Sequence, residues 1–290
     1  MRLLRCSFAG VLISCLLPTL PAATNSAPPL RVMTYNLRYG TASDGLNVWA
    51  NRRPLMHQLL TNAAPDLIGT QEGLYRQLQE LAHDLPDYQW TGVGRDDGKT
   101  AGEFMAVFYR PARLEALSTN HFWLSDTPAV PGSTTWGNQV RRMVTWLEFR
   151  DRATDRQFFF FNTHFDHIVQ LSREKSAELL RRRVQELNTS RPVLVTGDFN
   201  AAAERNRVYT LLTGDGFFSD TWRAAPERVN DGVNTFNNYR PPVWQGNRID
   251  WILTRGPVQV TRGEILIAHQ EHQFPSDHFP VLVELTLTGD

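Results

Sequence analysis

Acidic, amide and histidine side chains recur along this chain where apolar stretches end. Such polar residues have no role in a core, and functional sites in α/β proteins gather at strand ends. Carboxylates and amides without cysteine suit a hard cation such as Mg²⁺, Mn²⁺ or Ca²⁺ better than zinc. The set comprises Asn36, Glu72, His164, Asp198, Asn200, Asp250, Asp277 and His278.

The two histidines of this set, His164 and His278, add groups that can exchange protons or carry positive charge near neutral pH. Together with a bound cation they suit phosphoryl chemistry. The metal neutralises the phosphate, a polarised water attacks in line, and a histidine stabilises charge or protonates the leaving oxygen.

Each member of the set also has an ordinary structural interpretation. Asn36 can cap a turn, the segment from Asp198 to Asn200 can be an Asx-turn, and Asp277–His278 can begin a strand. Their joint occurrence at successive strand ends favours function.

The elements that must position these residues begin as β-α-β, with a strand at 30–36, a helix at 54–63 and a strand at 66–70. Strand and helix order together predict two sheets with outer helices in one domain over residues 30–290. The remaining predicted elements are a helix at 74–84, strands near 87–92, 103–109, 113–123, 142–149 and 158–161, a helix capped by Ser172 and ending at Asn188, a strand at 193–196, a helix near 204–212, and strands at 249–253, 257–267 and 280–287.

A long segment without periodicity, residues 223–247, is predicted to be a functional loop. Two tryptophans on loops, Trp136 and Trp244, are candidates for stacking on a base or sugar or for touching lipid. His167 is a further candidate because it is close to His164. Weaker candidates for recognition of a leaving group are Asn237, Asn238, Tyr239 and Arg240.

The amino terminus has the features of a secretory signal. Residues 1–23 combine two arginines, a short apolar stretch and small residues, and 24–29 form a flexible lead-in. A lipoprotein anchor at Cys15 is the alternative. Both cysteines, Cys6 and Cys15, lie in this segment, so the exported chain, periplasmic or secreted, would have no disulfides.

The composition is that of an ordinary globular protein: 290 residues, 41% of them hydrophobic, with 30 basic and 30 acidic side chains. Disorder is excluded. Because the net charge is zero, the overall electrostatic field of the protein is weak, and any contact with a polyanion depends on a local patch of basic side chains. Nothing in the sequence indicates a stable protein partner, and a monomer is expected.

The ordered motifs resemble those of the endonuclease/exonuclease/phosphatase superfamily, and are most similar to a bacterial group near its deadenylase branch. The resemblance spans residues 31–287 and implies a DNase I-like fold, a four-layer α-β-β-α sandwich with two packed mixed β-sheets. The motifs are Thr-Tyr-Asn36-Leu-Arg, Gly-Thr-Gln-Glu72-Gly, Asn-Thr-His164-Phe-Asp, Thr-Gly-Asp198-Phe-Asn200-Ala, Arg248-Ile-Asp250-Trp-Ile and Ser276-Asp277-His278-Phe-Pro.

The resemblance also implies residue roles. Mg²⁺ or Mn²⁺ would bind Glu72, with Asn36 and Asp277 as supporting or second-site ligands. Asp198 and Asn200 would orient the attacking water and a phosphate oxygen. His278 would act as general base or bind phosphate, with its tautomer fixed by Asp250. His164 would bind phosphate with Glu103 as its carboxylate partner. Arg142 would contact phosphate, with Arg141 as an equally placed rival.

The resemblance therefore implies a metal-dependent phosphoesterase, and the predicted secretory signal implies that it is exported. A phosphodiester substrate, nucleic acid or a phospholipid headgroup, is the first expectation. A phosphomonoesterase acting on a sugar or inositol phosphate is the second. A binding module that keeps the fold without turnover is disfavoured, because every charged position of the motifs is present.

Overall fold

Two large β-sheets packed face to face form the centre of the protein, as seen in a computed structural model that describes residues 27–289. The predicted signal at 1–23, the alternative anchor Cys15 and residues 24–26 of the lead-in at 24–29 lie outside the described residues, so export stays a prediction. Among the described residues, no helix is both long and apolar enough to cross a membrane.

The strands of the described range, in chain order, are β1 (Leu30–Asn36), β2 (Leu67–Gln71), β3 (Gly73–Leu74), β4 (Gln89–Thr91), β5 (Glu103–Phe104), β6 (Val107–Tyr109), β7 (Leu114–Trp123), β8 (Met143–Asp151), β9 (Arg156–His164), β10 (Val193–Asp198), β11 (Ser219–Asp220), β12 (Glu227–Val229), β13 (Asp250–Arg255), β14 (Val258–Ile265) and β15 (Val281–Leu287). The helices of the same range are α1 (Trp49–Ala63), α2 (Tyr75–Asp84), α3 (Gln170–Glu186), α4 (Arg207–Thr213) and α5 (Thr221–Ala224), with 3₁₀ turns at Gly45–Asn47 and Gly214–Gly216.

Both sheets are mixed. One has the order β12-β14-β15-β1-β2-β6-β4 and the other β11-β13-β10-β9-β8-β7. At the centre of the first, β1 pairs parallel with β2 and antiparallel with β15. At the centre of the second, β10 pairs parallel with β9 and antiparallel with β13. The carboxyl ends of β1, β2, β9 and β10 therefore lie where β13 and β15 begin.

Three buried apolar layers show how the sheets and helices stack. Alternate residues of a strand face opposite sides, so Val32 of β1 packs between the sheets whereas Met33 packs under α1 and α2. On the far side of the other sheet, Phe161 of β9 packs against Leu180 of α3. The helix-sheet-sheet-helix order confirms the predicted four-layer α-β-β-α sandwich.

Two predicted helix starts were wrong. Helix α1 begins at Trp49, not at Pro54, because its first turn is fixed by a tertiary contact, in which the Trp49 indole donates to Glu80 at 2.6 Å. Pro54 lies on the exposed side, where water can bond the carbonyl it leaves free. Helix α3 begins at Gln170, so Ser172 lies inside it rather than capping it.

A buried polar network joins the two sheets near the edge where those carboxyl ends meet. The Asn162 amide donates to the carbonyls of Thr70 (2.7 Å) and Ala106 (3.0 Å), and its oxygen accepts from Gln71 (2.7 Å). A Cβ on Gly69 would lie 2.6 Å from that oxygen, so glycine allows the close approach. The network holds the sheet edges at a fixed separation.

A buried arginine fixes the loops at the same edge. Arg52 of α1 is 1% exposed. Its guanidinium donates to four backbone carbonyls: those of Asn47 (2.7 Å), Leu37 (2.8 Å), Pro275 (2.8 Å) and Arg38 (3.0 Å). One side chain thus ties α1 to the segments after β1 and before β15.

Arg52→Met is therefore expected to lower the free energy of unfolding by about 3 kcal/mol or more, because it leaves several buried carbonyls unbonded. Urea unfolding followed by circular dichroism measures the change. The matched control is Arg76→Met on α2, whose side chain is 90% exposed and whose helical ion pair with Glu80 contributes little. Equal stability of the two variants would contradict the role given to Arg52.

Candidate active site

A cavity of about 560 Å³ opens at the edge where the strand ends meet. Asn36 and Asp250 are buried directly behind it, and all ten residues predicted for the site are thus close together. The other eight line the cavity: Glu72, Glu103, Arg142, His164, Asp198, Asn200, Asp277 and His278.

Asn36, at the end of β1, connects two carboxylates. Its amide nitrogen donates to Glu72 Oε1 (3.0 Å) and to Asp198 Oδ2 (3.0 Å), while its oxygen accepts from the Arg38 backbone N–H (3.0 Å). Asn36 thus orients Glu72 and does not present its oxygen to the cavity. Glu72 itself adopts a positive φ of 64°, a conformation that costs an L-residue about 1–2 kcal/mol and turns the chain at the end of β2.

His278 and Asp250 form a buried dyad. The imidazole Nδ1 lies 2.9 Å from Asp250 Oδ2, which fixes the ring and leaves Nε2 toward Asp198 Oδ2 at 3.8 Å. Burial alone would lower the pKa of His278, but the carboxylates of Asp250, Asp198 and Asp277 raise it to about 10. The imidazole is therefore cationic at neutral pH.

Asp198 lies between two histidines. Its Oδ2 is 3.4 Å from His164 Nε2, and its Oδ1 accepts from the Asn200 backbone N–H at 2.9 Å. Burial, and then the charge of Asp250, raises the pKa of Asp198 to about 7, although His278 opposes the shift. A carboxylate with this pKa can accept a proton from water near neutral pH.

Glu103 lies beside His164, as the resemblance implied, but its two hydrogen bonds go to an arginine. Glu103 binds Arg95 in a two-pronged ion pair, with one contact at 2.8 Å, and lies 4.0 Å from His164 Nδ1, which has no hydrogen-bond partner. The Asn200 amide instead meets His164 Nε2 at 3.0 Å. Burial and the nearby Arg142 hold the pKa of His164 well below its usual value, so this ring is neutral.

The structure separates the two arginine candidates. Arg142 is buried, lines the cavity, and has Nε and Nη1 without hydrogen-bond partners. Arg141 is 44% exposed in its side chain, donates to the Gly132 carbonyl and faces Asp96 at 3.6 Å. Arg142 is thus the one placed to meet a phosphate.

Two groups of side chains have the chemistry of a metal site. Glu72 and Asp277 face the cavity, and burial together with the charge of Glu72 raises the pKa of Asp277. Arg38 offsets this charge only partly, because its Nε is 3.7 Å from Asp277 while it binds Asp44 in two hydrogen bonds. A cation beside Glu72 and Asp277 would relieve the remaining repulsion.

The second group is Asp198, Asp250 and His278, whose candidate ligand atoms lie within 4.8 Å of one another. Here the His278–Asp250 hydrogen bond already uses one atom of each residue, and all three side chains are almost completely buried. Mg²⁺ normally keeps several water ligands. The group of Glu72 and Asp277 therefore fits a hydrated cation better than the group of Asp198, Asp250 and His278 does.

Part of the segment 223–247 lines the cavity, and the structure separates its candidates for recognition of a ligand. Asn238 and Tyr239 line the cavity, whereas Asn237 is buried and donates to the Ser276 carbonyl. Arg240 and Trp244 do not line it, and Trp244 is 59% exposed. Trp136 packs in the core with its indole bonded to Asp126, so it is closed to a ligand.

Sequence patterns missed several residues of the cavity wall. Phe236 packs on the His278 ring, with centroids 5.1 Å apart, and the two residues form a β-bridge. The only feature of the sequence that could have indicated Phe236 was its position in the aperiodic segment 223–247. The other missed lining residues are Arg38, Tyr39, Asp44, Arg95, Val140 and Ile249.

A model of the endonuclease/exonuclease/phosphatase family matches residues 33–278. The chain belongs to this family. The resemblance seen in six short motifs is confirmed, and the family indicates phosphoester hydrolysis as the class of reaction.

Solved structures of the family match nearly the whole domain. An endonuclease/exonuclease/phosphatase from Bacteroides vulgatus is 37% identical, with a TM-score of 0.84, covering 89% of this chain and 99% of that one. A Bacteroides thetaiotaomicron mannosyl-6-phosphatase is 36% identical, with a TM-score of 0.83 and the same coverage of 89% and 99%. The human Nocturnin catalytic domain with bound sulfate shares the fold: 18% identity, TM-score 0.69, covering 91% of this chain and 96% of that one.

Proposed function

We propose that this family member is a divalent-metal-dependent phosphatase that hydrolyses the monoester of a small hydroxylated alcohol such as a sugar, and that it acts after export. The observation that carries the proposal is the shape and charge of the cavity. At about 560 Å³ it has the size of a small-molecule site. Of its lining arginines, Arg38 and Arg95 are each paired with a carboxylate.

This charge pattern favours a small phosphate over a polymer. A nucleic acid backbone needs a row of cations along a groove. Here positive charge is concentrated at His278, whose Nε2 lies 3.8 Å from Asp198 Oδ2, and at Arg142, whose nearest carboxylate, that of Asp166, is 3.9 Å away. The similar mannosyl-6-phosphatase supports the monoester over the phosphodiester that the sequence first favoured.

In the proposed reaction the phosphate lies between Arg142, Asn200 and His278. Asp198 takes a proton from the attacking water, and Asn36 holds this carboxylate in place (3.0 Å). As the water oxygen bonds to phosphorus, the P–O bond to the alcohol breaks, the departing alkoxide takes a proton from solvent water, and Asp198 returns its proton to solvent. The His278 imidazolium donates a hydrogen bond from Nε2–H to a non-bridging phosphate oxygen, while Asp250 fixes its orientation. These fixed donors stabilise charge that develops in the transition state.

Mg²⁺ or Mn²⁺ would be held by Glu72 and Asp277. When bound, the ion supplies charge neutralisation on the phosphate oxygens. Asn36 acts through Glu72, since its amide nitrogen donates to Glu72 Oε1 at 3.0 Å.

Initial rates on three substrates test the proposal: mannose 6-phosphate, p-nitrophenyl phosphate and bis(p-nitrophenyl) phosphate, each with Mg²⁺ and with EDTA. We expect kcat/KM to be at least about 100-fold higher on the monoesters than on the diester, because Arg142 and His278 together match a dianion. EDTA should abolish turnover. Faster cleavage of the diester would identify a phosphodiesterase instead, and turnover unchanged by EDTA would contradict the metal.

A further inference from the structure

His167 is an exposed histidine that the structure holds in one place at the cavity wall. It lies in the turn between β9 and α3. The neighbouring Asp166 is buried and accepts from the backbone N–H groups of Ile168 (2.9 Å) and Val169 (2.6 Å). Arg173 of α3 donates to the Asp166 carbonyl at 2.8 Å. The turn is therefore fixed although the ring is open to solvent.

The contact with Arg142 determines the tautomer of this ring. Arg142 Nη2 lies 3.0 Å from His167 Nδ1. A guanidinium can only donate, so Nδ1 must be the unprotonated, accepting nitrogen. The proton of the neutral ring is then on Nε2, and this atom has no hydrogen-bond partner among residues 27–289. His167 thus offers the cavity a single N–H donor.

This donor remains uncharged. Burial against the protein, and then the positive charge of Arg142, lowers the pKa of His167. A neutral donor does not compete with Arg142 and His278 for the charged phosphate, but it can bond a hydroxyl oxygen.

The position of His167 relative to Arg142 indicates which part of the substrate it meets. Arg142 is buried and is influenced by the charges of Glu103, Asp166 and Asp198, so it lies deep in the site. His167 is bonded to the guanidinium and is exposed, so it lies farther out. A phosphate bound to Arg142 would direct its alcohol portion toward this outer position.

We propose that His167 is a specificity residue that donates its Nε2–H to a hydroxyl group of the leaving alcohol. The inference rests on the proposed phosphatase function and refines its substrate class to a polyhydroxylated alcohol. Arg142 acts on the phosphate and also sets the tautomer with which His167 recognises the alcohol.

Two substitutions separate recognition of the alcohol from support of Arg142. His167→Asn places an amide oxygen near the position of Nδ1. This oxygen can still accept from Arg142, but the variant lacks the N–H donor that His167 has at Nε2. Glutamine places an amide N–H near the Nε2 position. His272→Asn, at another exposed histidine, is the matched control.

The substrates are mannose 6-phosphate and ethyl phosphate, which are both alkyl monoesters and differ in hydroxyl groups. For His167→Asn we expect kcat/KM to fall about 10-fold on mannose 6-phosphate and less than about twofold on ethyl phosphate. His167→Gln should recover most of the loss. Equal losses on both substrates, or no loss on either, would overturn the inference.

A measurement of binding affinity, which does not depend on turnover, keeps the test of His167 separate from the test of the proposed function. Wild-type protein that hydrolyses neither monoester would refute the proposed function. Calorimetric titration with mannose 6-phosphate would still test His167, since His167→Asn is expected to raise Kd about 10-fold. An unchanged Kd, or no binding to the wild type, would overturn the inference.

Discussion

His278→Asn is expected to lower kcat by about 10³-fold while the protein stays folded. The asparagine amide can take the place of Nδ1 and keep the hydrogen bond to Asp250 Oδ2, which is 2.9 Å long in the structure. What the variant lacks is the Nε2–H and the positive charge. Loss of one fixed hydrogen-bond donor to the charge that develops in the transition state typically costs about 10²–10³-fold in rate.

The environment of His278 explains why this loss should be large. Its pKa of about 10 means that the ring is charged whenever Asp198, whose pKa is about 7, begins to lose its proton. His278 can thus donate a charged hydrogen bond to phosphate at the same pH at which Asp198 accepts a proton from water. Asparagine cannot replace the charged donor.

Steady-state kinetics on p-nitrophenyl phosphate, with thermal unfolding in parallel, measure the effect. The control is His57→Asn on the exposed side of α1, which should retain the wild-type rate. Turnover by His278→Asn within about threefold of the wild type would remove His278 from the mechanism.

Glu72→Gln has the second large expected effect, the loss of metal binding. Glutamine preserves the shape of the side chain, and its oxygen can still accept from Asn36, which lies 3.0 Å away. The substitution removes the charge that, with Asp277, makes this side of the cavity attractive to a cation. We expect affinity for Mn²⁺ to fall at least about 10-fold and kcat/KM to fall at least about 10³-fold.

Isothermal titration with Mn²⁺ measures the affinity independently of turnover. Thermal stability without metal should change little, because the variant relieves repulsion between Glu72 and Asp277 but loses the hydrogen bond that the Tyr39 backbone N–H donates to Glu72 Oε2 at 3.2 Å. Glu204→Gln, at an exposed carboxylate outside the cavity, is the control. Unchanged Mn²⁺ affinity in Glu72→Gln would place the ion elsewhere, with Asp198, Asp250 and His278 as the other group of suitable ligands.

The motif residues and the fold could be predicted from the sequence because both depend on local pattern. Apolar runs marked the strands, and a polar residue directly after a strand, such as Asn36 or Asp198, must lie at a sheet edge. Parallel pairing of β1 with β2 and of β9 with β10 then brings those edges together. The dyad of His278 and Asp250 followed from the same motifs through the family resemblance.

Several other side-chain contacts were decided only by the tertiary structure. Glu103 was assigned to His164 by motif and lies 4.0 Å from its Nδ1, but it also accepts two hydrogen bonds from Arg95, a partner that the sequence did not indicate. Arg142 and Arg141 are adjacent and chemically identical in the sequence, yet one is buried in the cavity and the other faces solvent.

The physical reason is that strand ends are positioned by backbone pairing, which repeats along the chain. Loop side chains are positioned by contacts between residues far apart in sequence. His167 shows the difference: the sequence placed it near His164, but only its contact with Arg142, 25 residues away, determined which ring nitrogen is left to donate a hydrogen bond.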